Sequence, residues 1–120
     1  MMKLMSDLPD DVLGIVAEGK ITPDDYETVL IPAVDKLLEQ NEKIKIIYQL
    51  AENFENFDVS AMIDDSKIGM KHLAQWDKVA LVSNHRTINT FVKFFSYLMP
   101  CEVRVFANDS LLAAKQWIVL

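Results

Sequence analysis

A chain of 120 residues is the size of one domain, long enough to bury about two-thirds of its unfolded surface without disulfides or metal. Its 18 acidic and 12 basic residues leave a net charge of −6, which argues against nucleic-acid binding, since no basic stripe is seen to displace phosphate counterions. The same balance disfavours simple electrostatic adsorption to an anionic membrane, though not apolar insertion. A single cysteine, Cys101, rules out an internal disulfide and points to a reducing, cytoplasmic setting.

The opening residues 1–7 lack the apolar core and small-residue cleavage site of a signal peptide, and no apolar run approaches the ~18 residues of a membrane span. Residues 2–7 read as a short edge strand, followed by turn chemistry at Leu8-Pro9-Asp10-Asp11 and a second strand over 12–18, so the chain opens with a hairpin. Thr22-Pro23-Asp24-Asp25 is a helix start: Thr22 caps, Pro23 suits the first helical position, and the two Asp favour the positive end of the dipole. Tyr26, Val29, Leu30, Ala33, Val34, Leu37 and Leu38 then form one core-facing stripe, with Pro32 expected to bend the helix.

Residues 43–50, Lys-Ile-Lys-Ile-Ile-Tyr-Gln-Leu, have the β-branched and aromatic content of a strand, and helical patterns on both sides predict that it is central and covered on two faces. Residues 51–58 are polar with Phe54 and Phe57 embedded. Asp58 is placed to cap a helix running to residue 73, with Val59, Met62, Ile63, Ser66, Met70 and Leu73 facing one way. Trp76-Asp77 connects to a strand over 78–83, and Asn84-His85-Arg86-Thr87 opens a third helix that runs to Met99 and stops at Pro100. Residues 102–106 alternate as a strand. Asn108 or Asp109 caps a last helix over 111–118, expected to pack through Leu112, Ala113, Trp117 and Leu111. The order β-β-α-β-α-β-α-β-α implies an α/β fold spanning 1–120 as one domain: a single mixed, mostly parallel sheet with an antiparallel N-terminal edge strand and crossover helices.

Several segments resemble the SpoIIAA-like proteins, a bacterial branch related to STAS domains. They are Val16-Ala-Glu-Gly19-Lys20-Ile21-Thr22 before an acidic, Tyr-containing helix, Gly69-Met-Lys-His72-Leu73, Trp76-Asp77-Lys78-Val79-Ala80-Leu81-Val82, and Leu112-Ala113-Ala114-Lys-Gln-Trp117. The resemblance covers nearly the whole chain and implies a fold shared with STAS anti-anti-sigma factors and with the CRAL-TRIO lipid carriers. It implies two kinds of non-enzymatic role: protein-interaction modules, often switched by a phosphoserine after the third strand, and carriers that enclose an apolar ligand and meet membranes. The stretch Phe57-Asp58-Val59-Ser60-Ala61-Met62 lacks the Asp-Ser-Ser/Thr-Gly-like turn of STAS switches. Ser60 is nonetheless the regulatory candidate, since a phosphate near a helix start would meet free backbone donors. An ordinary first-turn serine satisfying the backbone is the alternative.

No sequence feature argues for catalysis. His72 and His85 are the only histidines, and no His/Cys/carboxylate set has metal-ligand spacing. Cys101 stands between Pro100 and a strand, where an inert thiol is the common outcome. There is no Gly-rich phosphate loop, and no cofactor is expected. The adjacent pairs Asp24-Asp25 and Asp64-Asp65 diverge on helices. Ligands of open α/β sheets bind beyond the carboxyl ends of the strands, at loops 51–58, 83–87 and 107–109 here, where Asn84 and Arg86 with His85 offer a headgroup contact. A solvated turn with a cap explains the same three residues.

The third helix carries the sharpest feature. Phe94, Leu98, Phe91, Phe95, Ile88, Met99 and Val92 fill an arc of roughly 160°, wider than the ~100° stripe of a surface helix, with Tyr97 extending it and Asn89, Lys93 and Ser96 as the polar face. Either the helix sits deep in the core, or Phe91, Phe94, Phe95 and Leu98 offer surplus apolar area. In the second case they form a pocket wall for an apolar or lipid-like small molecule with Met62 and Met70, a membrane-contacting face, or a homodimer surface. The expectation is a non-enzymatic cytoplasmic domain, peripheral to the membrane, that binds such a ligand or surface; a STAS-type protein partner is the alternative.

Overall fold

Strand β4 (Ile44–Leu50) occupies the middle of a five-stranded sheet in the computed structural model of the protein, which describes residues 1–58, Lys67 and residues 75–120. The two-residue period of the strand sends Ile44, Ile46, Tyr48 and Leu50 to one face and Ile47 to the other, and both faces are covered. The sheet order is β1 (Met2–Leu4), β2 (Val12–Ala17), β4, β6 (Trp76–Val82), β7 (Glu102–Phe106). β1 runs antiparallel to β2, and every other neighbouring pair is parallel. This is the α/β arrangement expected of the sequence, with residues 43–50 at its centre.

A smaller parallel pair, β3 (Lys20–Ile21) and β5 (Asn56–Phe57), lies apart from the main sheet. Neither strand is visible in the sequence pattern, because two residues give no period to read. Hydrogen bonds from Gly19 N–H to Asn53 O (3.2 Å) and from Glu55 N–H to Gly19 O (2.8 Å) hold the two connections together. Gly19 sits at φ 61°, the left-handed region that glycine enters without steric cost.

Helix α1 is assembled from three consecutive segments, Pro23–Asp25, a π-helical turn Tyr26–Leu30, and Ile31–Gln40. Thr22 and Asp25 form a capping box: Asp25 N–H donates to Thr22 Oγ1, and Thr22 N–H donates to Asp25 Oδ2 at 2.9 Å. Pro32 has no N–H to donate to the preceding turn, and the chain meets this by widening that turn into the π segment, where Ile31 N–H donates to Tyr26 O. The expected irregularity at Pro32 therefore takes the form of a π turn. Tyr26, Leu30 and Val34 from α1 are buried against Leu13, Ile15, Ile44, Ile46 and Leu50, each such side chain worth about 1.5–3 kcal/mol of transfer free energy.

Helix α2 (Arg86–Ser96) contributes Ile88 and Val92 to the same core. Helix α3 (Leu111–Ile118), which follows a 3-10 turn at Asn108–Ser110, covers the opposite face and buries Ala114 and Ile118 against Val12, Ile47, Ala80 and Val82. Its buried residues correct the expected packing: Leu112 and Ala113 are exposed, and Leu111, Ala114, Trp117 and Ile118 face the sheet. Two apolar stripes at helical spacing coexist in this helix, and sequence alone does not say which one the sheet meets. Lys78 fixes the choice by donating to Trp117 O (3.2 Å) and Leu120 O (2.8 Å) at the end of α3, with its ammonium 4.9 Å from the Trp117 ring centre.

Candidate functional site

The carboxyl ends of β6 and β7 set the position of α2. Ser83 is buried, its N–H donates to Phe106 O (2.8 Å), and its Oγ accepts from His85 N–H (2.9 Å). Asn84 Oδ1 accepts from Asn108 N–H at 3.0 Å and ties the β6–α2 turn to the turn after β7. His85 is the N-cap of α2, its Nδ1 accepting from Ile88 N–H at 3.3 Å, and its ring lies edge-on to Phe54 with centroids 5.8 Å apart. Of the three residues suggested as a headgroup contact, Asn84 and His85 thus brace and cap the turn. Arg86 is exposed at the first helical position.

The inward side of α2 is narrow. Ile88 and Val92 pack on the core, and Asn89 donates from Nδ2 to Ser83 O at 2.7 Å. No residue of α2 is fully buried. Asn89 and Ser96, read from the sequence as part of a polar face, are half-buried, and Lys93 alone of that trio is exposed. Asn89 lies on the inner side beside Ile88 and Val92, where its Nδ2 meets the Ser83 carbonyl after the end of β6, while its Oδ1 is buried without a partner among the described residues.

The apolar arc points outward. Phe91 is 60% exposed, Phe94 67%, Phe95 41%, Leu98 70% and Tyr97 89%. The three phenylalanines form one surface cluster, Phe91 and Phe95 with ring centroids 4.4 Å apart and Phe94 and Phe95 edge-to-face at 5.7 Å. Tyr97 caps the C-terminal end of α2, and Leu98 N–H donates to Phe95 O in the turn that follows. The sequence-predicted residues Phe91, Phe94 and Phe95 are therefore brought together, with Leu98 in the turn directly after them. Asn84 is held elsewhere, at the turn before α2. Ser60, Met62 and Met70, with His72, Ser66, Asp64-Asp65 and, apart from Asp58 and Lys67, the helix expected from Asp58 to residue 73, lie outside the described residues.

A second aromatic group gathers beneath the small strand pair, and sequence reasoning did not single it out. Tyr26 and Tyr48 share a hydroxyl–hydroxyl hydrogen bond of 3.2 Å, and Phe57 lies 6.5 Å from Tyr48 and 5.0 Å from Phe54. These rings extend the core cluster rather than the surface one. Cys101 is half-buried against the same core; burial pushes its thiol pKa up, and the nearby Asp77 carboxylate adds to the rise. Among the described residues, no group of His, Cys and carboxylate side chains is placed to hold a metal ion, and no helix is long and apolar enough to cross a membrane.

The sheet order, the antiparallel edge and the helices on both faces define a small α/β domain with a mixed sheet. The chain belongs to the SpoIIAA-like family, whose model matches residues 12–119. Its fold is similar to the crystal structure of an uncharacterized protein with a SpoIIAA-like fold from Shewanella loihica PV-4, at a TM-score of 0.80 and 21% identity, covering 98% of this chain and 93% of that one. No curated protein matches the sequence.

Proposed function

We propose that this protein is a non-enzymatic binding domain that meets a lipid bilayer through the exposed face of α2. The observation that carries the reading is the outward cluster of Phe91, Phe94 and Phe95 with Leu98, all large apolar side chains that the described core does not use. Moving Phe91, Phe94 and Leu98 from water into lipid stabilises by about 1–2 kcal/mol each, given the share of each side chain still exposed. Tyr97 at the end of the row has the amphipathic ring favoured at headgroup level. Peripheral attachment of this kind fits the apolar-ligand side of the expectation better than an enclosed carrier pocket, because the rings face solvent.

The absence of an enzymatic role is supported by two engagements. His85 Nδ1 accepts the capping bond of α2, and burial with the Asp77 carboxylate raises the Cys101 thiol pKa, which disfavours the nucleophilic thiolate. The second reading, a STAS-type protein-interaction module regulated at Ser60, is supported by family membership. A homodimer closed over α2 is the third.

Flotation with phosphatidylcholine vesicles separates these readings. The bilayer reading expects the protein to float with the vesicles and the exposed substitution Phe94→Glu to leave it in the soluble fraction. A protein that stays behind intact, and carries no lipid by extraction and mass spectrometry, sinks that reading. The dimer instead predicts that Phe94→Glu turns a sedimenting dimer into a folded monomer. The STAS reading predicts lost partner binding in Ser60→Asp with Ser60→Ala unaffected.

A further inference from the structure

The charge of the chain is not spread evenly. Between Asp77 and Glu102 lie Lys78, Arg86 and Lys93 and none of the 18 acidic residues, in a protein whose net charge is −6. Lys78 turns to the α3 side, where it holds the end of that helix. Arg86 and Lys93 are left on α2, both exposed and neither ion-paired among the described residues. At 100° per residue they stand on one side of the helix axis, bordering Phe94 and Phe91, with Leu98 in the turn beyond the end of the helix. A helix with a row of phenylalanines beside an unpaired basic border, and no acid of its own, has the makeup of one that lies at a membrane interface.

We infer that this face selects anionic bilayers over neutral ones, an inference that rests on the bilayer contact proposed above. The protein measures 33 × 30 × 29 Å, whereas the Debye length at physiological ionic strength is about 8 Å, so charges on the far side are screened from a surface that α2 touches. The nearest acids in sequence, Asp77 and Glu102, lie at the start of β6 and of β7, off α2 itself. With the phenylalanines in the acyl boundary, Arg86 and Lys93 stand at the level of the phosphates. Each cation then raises partitioning by about fivefold on a strongly anionic surface.

The test is flotation of the whole protein with vesicles of phosphatidylcholine alone and with vesicles in which phosphatidylglycerol replaces part of it. The expected result is several-fold stronger partitioning to the anionic vesicles. Arg86→Gln/Lys93→Gln, checked for folding by circular dichroism, should fall to the level seen with phosphatidylcholine. Molar salt, where the Debye length is about 3 Å, should remove the enhancement from the unsubstituted protein as well. Equal or weaker binding to the anionic vesicles overturns the inference while leaving the bilayer contact intact, as does an enhancement that survives in the double variant. Binding to neither vesicle overturns both.

Discussion

Replacing Phe94 and Leu98 together by glutamine should leave the fold nearly as stable as before. Phe94 is 67% exposed and Leu98 70%, so only about a third of each side chain is removed from water. Full burial of either is worth about 1.5–3 kcal/mol, which puts the share already realised at about 0.5–1 kcal/mol apiece. Glutamine has a methylene stem that keeps part of that contact, and it is at least as good a helix former as Phe at position 94, inside α2. The net loss should be about 1 kcal/mol or less. Urea unfolding followed by circular dichroism measures it: the midpoint should shift little and the slope should not change. A loss of about 3 kcal/mol or more, the range of a truncated core residue, would refute the reasoning by showing that these side chains hold the fold together.

Three other substitutions or measurements probe the frame that carries α2. Gly14→Ala should destabilise by about 1–3 kcal/mol in the same assay, because an added Cβ would stand 2.5 Å from Leu8 Cδ1 and 2.7 Å from Met5 Cβ. Unchanged stability would mean that the hairpin loop lifts freely off β2. Thr22→Ala should cost about 1 kcal/mol by opening the capping box; no loss would show that Asp25 alone secures the start of α1. The Cys101 thiol has its pKa raised from an ordinary 9.0, so iodoacetamide at mildly alkaline pH should modify it more slowly in the folded than in the urea-unfolded protein. Both states are protonated well below that value, where this contribution to stability is intact. As pH rises toward the folded pKa, the unfolded chain loses its proton first and stability declines. Equal alkylation rates in the two states would contradict this.

Much of this frame was legible because its signals repeat. β7 (Glu102–Phe106) alternates over its whole length, the helix over Leu111–Ile118 was bounded correctly, and the run of Ile, Tyr and Leu at 44–50 announced a strand covered on both faces. β6 began two residues earlier than expected, at Trp76, because Trp-Asp reads as a connection unless its pairing with Ile44 is known. β3 and β5 are too short to announce themselves, and they depend on contacts between residues more than 30 apart in the chain.

The surplus of apolar residues on α2 was also legible, but its direction was not. Phe94 and Leu98 could have met the sheet had Asn89 and Ser96 faced water. The inner side is the one where Ile88 and Val92 meet the core and Asn89 Nδ2 donates to the Ser83 carbonyl, contacts that helical spacing alone does not select. The net charge was the least informative number. It averages an acid-free α2 with a strongly acidic remainder, so a whole-molecule figure says little about the field at any one face.

The central claim is that the outer face of α2 enters lipid, and an emitter placed on that face tests it most directly. Phe94→Trp puts an indole at a position 67% exposed, to be read as the difference from the unsubstituted protein, whose Trp76 is buried and Trp117 half-buried. On adding vesicles its emission should move to the blue and be quenched by lipids brominated along their acyl chains. Emission that stays at the wavelength of a water-exposed indole, untouched by the brominated chains, would contradict the account.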